Sequence, residues 1–102
     1  MSTLHTINKS PFSHSTLLSC LHVCEATDEI LLIEDGVFGA IKNCPYAQEL
    51  ATTIARGVNI YALQSDINAR GLQKKIDPSI QITDYIGFVR LSIEHSCTQS
   101  WY

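Results

Sequence analysis

The sequence predicts an α/β fold, with residues 1–102 as a single domain that has a mainly parallel β-sheet and helices on both faces. Short β-like runs alternate with helix-like runs in the order βαβαβαβα, and this alternation is typical of parallel strands joined by helical crossovers. The run Ile30–Ile33 is apolar throughout, as in a strand buried on both sides. With 102 residues, of which 45% are hydrophobic, the chain is large enough to bury one core.

The first predicted strand, Thr3–Ile7, is short and is followed by the turn-forming residues NKSP. The helix that follows has apolar residues at the i, i+3, i+4 and i+7 spacing of one helix face, at Leu17, Cys20, Leu21 and Cys24. Ser13 or Ser15 is placed to cap its start.

The middle of the chain contains two further strands, Ile30–Ile33 and Val58–Leu63. After the first of them, EDGVFGAIKNCP contains two glycines and a proline, which predicts a loop or a short helix. YAQELATTIARG then predicts a helix with Gly57 as its C-terminal cap. QSDINARG predicts a short helix closed by Gly71.

The last predicted strand is Ser79–Thr83, and Asp84 is placed to cap the helix after it. Arg90 and Glu94 have the i, i+4 spacing of an ion pair on one face of that helix. The opposite face is predicted to be apolar, with Tyr85, Phe88, Val89 and Ile93. The final letters CTQSWY predict a frayed tail whose aromatic pair is a good docking group for a partner.

Charge and hydropathy exclude several classes of protein. The net charge is −3, and Lys74 and Lys75 are the only adjacent basic residues. Nucleic-acid binding requires a basic stripe, so we expect no direct contact with RNA or DNA. The apolar runs are too short for a membrane span or a signal peptide, so we expect a cytoplasmic protein whose thiols stay reduced. The low charged content of 17% hints at surface covered by partner subunits.

The segments NKSPF, EDGVFG and QSD follow the first three strands and should converge at the carboxyl edge of the sheet, where such folds place their sites. Neither GxGxxG nor GxxxxGK[ST] is present, so no nucleotide cofactor is expected. Glu34 and Asp35 are adjacent and point in opposite directions, which favours a solvated loop with a helix-capping Asp. His22 lies well around the helix from Cys20 and no second ligand cluster follows, so no metal is expected.

The four cysteines are the remaining chemistry-bearing residues. At about 100° per residue, Cys24 lies within the apolar stripe and is predicted to be a small buried hydrophobe, whereas Cys20 lies on the flank and is predicted to be partly accessible. Cys44 precedes Pro45 in a loop and is expected to be exposed, and Cys97 lies in the tail. Spacing alone favours unreactive thiols, with Cys20 and Cys44 as equal exceptions.

Four segments together resemble the DsrH/TusB family of sulfur-relay subunits: LHTINKSPF, ILLIEDGV, YALQSDINARGL and ITDYIGFVRLSIEH. The resemblance extends over nearly the whole chain. It implies a heterohexamer with DsrE-like and DsrF-like subunits, two copies of each, or with TusD-like and TusC-like subunits in the other branch. Such complexes relay sulfane sulfur as a cysteine persulfide. The sulfur reaches a DsrC-like acceptor in intracellular sulfur oxidation, or the 2-thiouridine of tRNA in the other branch.

The first helix distinguishes the two branches of this family. DsrH-like sequences resemble this chain in having a cysteine at the position of Cys20, whereas TusB-like sequences generally lack one. The resemblance therefore favours DsrH, and it implies that Cys20 is the catalytic residue, a persulfide carrier that needs no cofactor. We expect transfer activity only within the complex, and faster alkylation of Cys20 than of Cys24. The alternative is a TusB-like structural subunit.

Overall fold

The computed structural model describes all 102 residues, which form one five-stranded sheet with the order β4-β3-β2-β1-β5 and parallel pairing throughout. The strands are β1 (Thr3–Ile7), β2 (Glu29–Leu32), β3 (Asn59–Leu63), β4 (Gln81–Thr83) and β5 (Cys97–Trp101). The helices are α1 (Thr16–Val23), α2 (Ala47–Ala55), α3 (Gln64–Ala69) and α4 (Tyr85–Glu94). A 3₁₀ helix, Glu34–Ala40, follows β2. The predicted parallel α/β fold is confirmed.

Side chains alternate between the two faces of the sheet, and each face has its own core. The larger core lies on the face that carries Ile7, Ile30 and Ile60, and residues of α1 and α2 pack into it. The smaller core lies on the opposite face and contains Leu4, Leu31 and Leu91. Because β2 lies at the centre of the sheet, its side chains are buried on both faces, as the apolar run predicted.

Three of the predicted helix boundaries are confirmed. Asp84 caps α4, since its Oδ1 accepts a hydrogen bond from the Gly87 N–H at 2.8 Å. Gly57 follows α2 with a φ of +102° and Gly71 follows α3 with a φ of +66°, a backbone region in which glycine is favoured. Ser15 precedes α1 as predicted, but its side chain makes no capping hydrogen bond.

The prediction of a frayed C-terminal tail is wrong, because residues 97–101 form β5. This strand lies beside β1 in a register that pairs Thr3 with Cys97 and Ile7 with Trp101. The Trp101 side chain packs against the larger core and is only partly exposed. An edge strand is exposed to solvent along one side, so its residues can be polar. The polar run CTQS is therefore difficult to distinguish from a loop in the sequence.

The predicted orientation of α4 is also wrong. Leu91 is the buried residue of this helix, and Phe88 packs beside it against the smaller core. The other apolar side chains of the predicted face point to solvent together with Ile86. Arg90 and Glu94 form no ion pair, so their spacing does not translate into a contact. The helix has apolar residues on two sides, and packing of Phe88 and Leu91 against the sheet decides which side is buried.

Candidate functional site

The three segments at the carboxyl edge of the sheet converge as predicted. The Glu34 N–H donates to Asp66 Oδ2 at 2.7 Å, which joins the 3₁₀ helix to α3. Arg70 adds an ion pair with Asp35 at 2.9 Å. Asp35 makes no capping hydrogen bond, so the expected helix-capping role is not observed. Gly36 lies so close to β1 that an added Cβ would meet the Ile7 carbonyl oxygen.

A cavity of about 140 Å³ lies at this edge, lined by Thr6, Asn8, Ile33, Glu34, Ser100, Trp101 and Tyr102. Asn8 Oδ1 is buried without a hydrogen-bond partner. Glu34 has a φ of +50°, a left-handed conformation that is uncommon for a residue other than glycine. The cavity contains an acceptor and a carboxylate but no thiol, and it therefore offers no group for sulfur chemistry.

Cys20 lies inside the protein, so the prediction that its thiol is partly accessible is wrong. Its side chain on α1 is fully buried in the larger core, with a relative exposure of 0%. Burial, with smaller contributions from Cys24 and Asp28, raises the pKa of the Cys20 thiol to about 12. A thiol must be accessible and ionised to attack sulfur. The assignment of Cys20 as a persulfide carrier stays a prediction, one that requires the packing around α1 to open.

Cys24 is buried as predicted, and it lies at the end of α1 under the side chain of Arg56. Arg56 Nη2 donates to Cys24 Sγ at 3.6 Å and to its carbonyl oxygen at 3.4 Å. Burial raises the pKa of the Cys24 thiol, and the nearby Arg56 guanidinium opposes this rise without overcoming it. A groove of about 580 Å³ between α1 and α2 lies beside this contact, lined by Leu21, His22, Gln48, Glu49, Thr52, Thr53 and Arg56.

The other two cysteines also differ from the sequence-based expectations, Cys44 in its burial and Cys97 in its secondary structure. Cys44 is buried in the larger core rather than exposed, and burial raises the pKa of its thiol. Cys97 begins β5 and is the one exposed thiol of the chain. Its Sγ lies 3.2 Å from Thr3 Oγ1, in a cavity of about 340 Å³ that His5 and Asp28 also line. Sequence reasoning missed this position because it treated the segment as a tail.

His95 joins the end of α4 to the sheet. His95 Nε2 lies 2.8 Å from Glu29 Oε1, and its Nδ1 lies 2.8 Å from Ser2 Oγ. Glu29 Oε2 also accepts hydrogen bonds from Asn59 and Tyr61, so all the groups around this carboxylate are satisfied within the protein. These contacts fasten the chain ends to β2 and β3.

The protein presents no arrangement of side chains suited to a metal ion. No group of three or more His, Cys, Asp or Glu side chains is close enough together to bind one. Cys20, Cys24 and His22 do not form such a group, because the two thiols are buried whereas His22 is exposed. None of the helices has the length and apolar character that a membrane crossing requires.

One helix surface stands out among the exposed residues. We define the α4 apolar face by four side chains with relative exposures of 69%, 70%, 41% and 76%: Tyr85, Ile86, Val89 and Ile93. Large apolar side chains grouped at the surface of a small protein make this face a candidate interaction surface. The sequence pattern predicted that Tyr85, Val89 and Ile93 share one apolar face of this helix, but it did not include Ile86 or identify the face as exposed.

The sequence is similar to those of known proteins over almost its whole length. A family model described as DsrH like protein matches residues 9–98. The chain is 36% identical over 98 residues to Protein TusB of Escherichia coli O81 (strain ED1a), and the match covers 96% of this chain and 99% of that protein. Protein TusB of Escherichia coli O6:K15:H31 (strain 536 / UPEC) matches to the same extent.

Solved structures share the fold at lower sequence identity. The ychN protein from E. coli superposes with a TM-score of 0.82 at 14% identity, covering 98% of this chain and 99% of that one. MTH1491 from Methanobacterium thermoautotrophicum, a protein of unknown function, superposes with a TM-score of 0.80 at 18% identity, covering 97% of both chains. These two similarities concern the fold alone.

Proposed function

The chain belongs to the DsrH/TusB family of sulfur-relay subunits, and we propose that it is a structural subunit of a TusBCD-type complex that supplies sulfur for 2-thiouridine formation in tRNA. The curated relatives at 36% identity are named TusB, which favours this branch over the sulfur-oxidation branch. This is the alternative that the sequence left open, and it replaces DsrH as the preferred function.

The burial of Cys20 is the observation that best supports a structural role for this chain. In persulfide transfer, an acceptor thiolate attacks the outer sulfur of a donor persulfide. A new S–S bond forms, the donor S–S bond breaks, and the donor leaves as a thiolate. With an exposure of 0% and a pKa of about 12, Cys20 has neither the access nor the thiolate that this attack requires. A partner subunit then carries the sulfur.

The α4 apolar face supports the assignment to a complex. Four large apolar side chains are exposed on this face, and their burial would stabilise contact with a TusC-like or TusD-like subunit. We therefore expect this chain to be inactive alone and to reside, with its partners, in the cytoplasm. The same face would serve DsrE-like and DsrF-like subunits in the other branch, with two copies of each chain in either heterohexamer.

Intact-mass spectrometry tests the proposed role. The wild-type chain and Cys20→Ser are incubated with a sulfane-sulfur donor, first alone and then with TusC-like and TusD-like subunits. We expect this chain to keep its mass while a partner subunit gains sulfur. A gain of sulfur on this chain that disappears in Cys20→Ser would instead make Cys20 the carrier.

Cys97→Ser is the matched control, because Cys97 is the exposed thiol. A gain that disappears only in this variant would refute both the Cys20 assignment and a purely structural role.

The DsrH-type role is a second candidate, and the presence of Cys20 itself favours it. A cysteine at this position is a feature that the sequence shares with DsrH-like chains, and the matching family model is described as DsrH like. Affinity purification distinguishes the two roles. Retention of a DsrC-like acceptor together with DsrE-like and DsrF-like subunits would support sulfur oxidation, whereas retention of TusC-like and TusD-like subunits alone would support tRNA thiolation.

A further inference from the structure

Three of the four lysines of the chain meet on one surface. Lys42 precedes α2, while Lys74 and Lys75 follow α3, so the three come from segments more than thirty residues apart. Together with Ile41 and Asn43 they line a cavity of about 280 Å³. We define the lysine patch as Lys42, Lys74 and Lys75. The sequence shows only the adjacent pair, because Lys42 joins the others through the fold.

Backbone contacts hold the two segments of the lysine patch together. Ile41 and Ile76 form an isolated antiparallel bridge. The Lys42 N–H donates to the Lys75 carbonyl oxygen at 3.0 Å, and the Asp77 N–H donates to the Ala40 carbonyl oxygen at 2.8 Å. The backbone positions of the three lysines are therefore fixed relative to one another. This lowers the conformational entropy lost when an anion binds.

The charges of the lysine patch are not neutralised within the chain. All three lysines are exposed, and none forms a salt bridge. The nearby carboxylate of Asp77 is engaged elsewhere, since it accepts hydrogen bonds from the Ser79 N–H at 2.9 Å and the Ser79 hydroxyl at 2.6 Å. These bonds, with a smaller contribution from Lys42, lower the pKa of Asp77. The patch is thus a local concentration of free positive charge.

We propose that the lysine patch docks a short acidic segment of a partner protein. The three lysines contribute +3 to a net charge of −3, so the rest of the chain carries −6. This net negative charge disfavours the polyanionic backbone of a long nucleic acid, whereas a short acidic peptide needs to contact the patch alone. Complementary charges at the rim of an interface mainly speed association and select the partner. This inference rests on the patch and not on the proposed sulfur-relay function.

Titration by two-dimensional NMR tests the proposal on the full-length ¹⁵N-labelled chain, with a ten-residue poly-glutamate peptide as the probe. We expect saturable shifts confined to the amides of residues 41–43 and 74–76. Affinity should fall as salt is raised, since the contacts are exposed. The triple variant Lys42→Gln, Lys74→Gln, Lys75→Gln should bind about tenfold more weakly, from three exposed ion pairs. Lys9→Gln, which removes the remaining lysine, should bind like wild type.

Three results would overturn the proposal. Peptide shifts that persist in the triple variant would show that the lysines are not the site. Lysine-dependent binding of a transfer RNA without binding of the peptide would make the patch a nucleic-acid surface. Saturable binding of inorganic phosphate at the same amides, as tight as that of the peptide, would make it a small-anion site. Thermal melting of the triple variant checks that its fold is intact.

Discussion

Trp101 Nε1 donates a hydrogen bond to His5 Nδ1 at 3.1 Å, so side chains as well as backbone join β5 to β1. An indole N–H can only donate, and Nδ1 is therefore the unprotonated nitrogen of the ring. The proton lies on Nε2, which donates to Asp28 Oδ2 at 2.9 Å. Asp28 also accepts hydrogen bonds from the Thr3 and Glu25 N–H groups. A directed chain of hydrogen bonds thus runs from the last strand to the loop before β2.

Trp101→Phe tests the contribution of this hydrogen bond. We expect the free energy of unfolding to fall by about 1 kcal/mol, because the partly buried His5 Nδ1 loses its donor while an aromatic ring remains to pack. Urea denaturation monitored by circular dichroism measures the change. Tyr102→Phe is the matched control, since Tyr102 is exposed. An equal loss in both variants would show that the Trp101–His5 bond contributes nothing specific.

Asp28→Asn tests the pH dependence that this carboxylate confers on stability. Burial opposes ionisation of Asp28, but hydrogen bonds from Glu25, His5 and Thr3 outweigh it and lower the pKa below 3.8. A lowered pKa contributes stability that is complete above pH 3.8 and is lost as pH falls through the folded-state value. We expect the variant to be about 1–3 kcal/mol less stable at neutral pH, with the deficit shrinking in acid.

Free energies of unfolding for wild type and Asp28→Asn, compared between pH 2 and pH 7, measure this effect. Asp35→Asn is the control, because its carboxylate is 63% exposed and its ion pair with Arg70 is solvated. A deficit of Asp28→Asn that stays constant over the whole range would contradict the assignment.

Alkylation of the native chain by iodoacetamide tests the burial of the thiols. We expect Cys97 to react first because it is exposed, and Cys20 to react only after unfolding in urea. The order is read by peptide mass spectrometry at successive times. The sequence-based expectation was that Cys20 reacts faster than Cys24, but both thiols are buried in the structure. Early modification of Cys20 in the native chain would show that α1 opens and would restore the carrier hypothesis.

The double variant Ile86→Glu, Ile93→Glu tests the α4 apolar face as a contact surface. Both side chains are at least 70% exposed, so we expect the free energy of unfolding to change by less than about 0.5 kcal/mol. Co-purification with the partner subunits should be lost, because two charges would be buried without partners.

Val23→Glu is the surface control, since it changes an exposed apolar residue on α1 and should leave association intact. Leu91→Ala is the stability control and should lower the free energy of unfolding by about 2 kcal/mol or more. Normal co-purification of the double variant would exclude the α4 apolar face from the interface.

Local signals in the sequence predicted most of the fold, and non-local contacts were the source of the errors at β5 and Cys20. The cap at Asp84 and the glycines at 57 and 71 act within a few residues, and the structure confirms them. The pairing of Ile7 with Trp101 joins positions 94 residues apart, and no periodicity in CTQSWY reveals it. The burial of Cys20 was missed for a related reason, since a helical wheel does not show how deeply the neighbouring elements cover a flank.

The position of β5 beside β1 has a consequence for synthesis of the chain. Translation proceeds at about 5–20 residues per second, and the residues of β1 to β4 are all made before those of β5. Until residues 97–101 are made, one edge of β1 has no neighbouring strand. Its unpaired backbone N–H and C=O groups can then pair with a strand of another chain. The residues of β5 therefore complete this edge of the sheet. A chain truncated before residue 97 would leave this edge of β1 unpaired and is expected to be prone to aggregate.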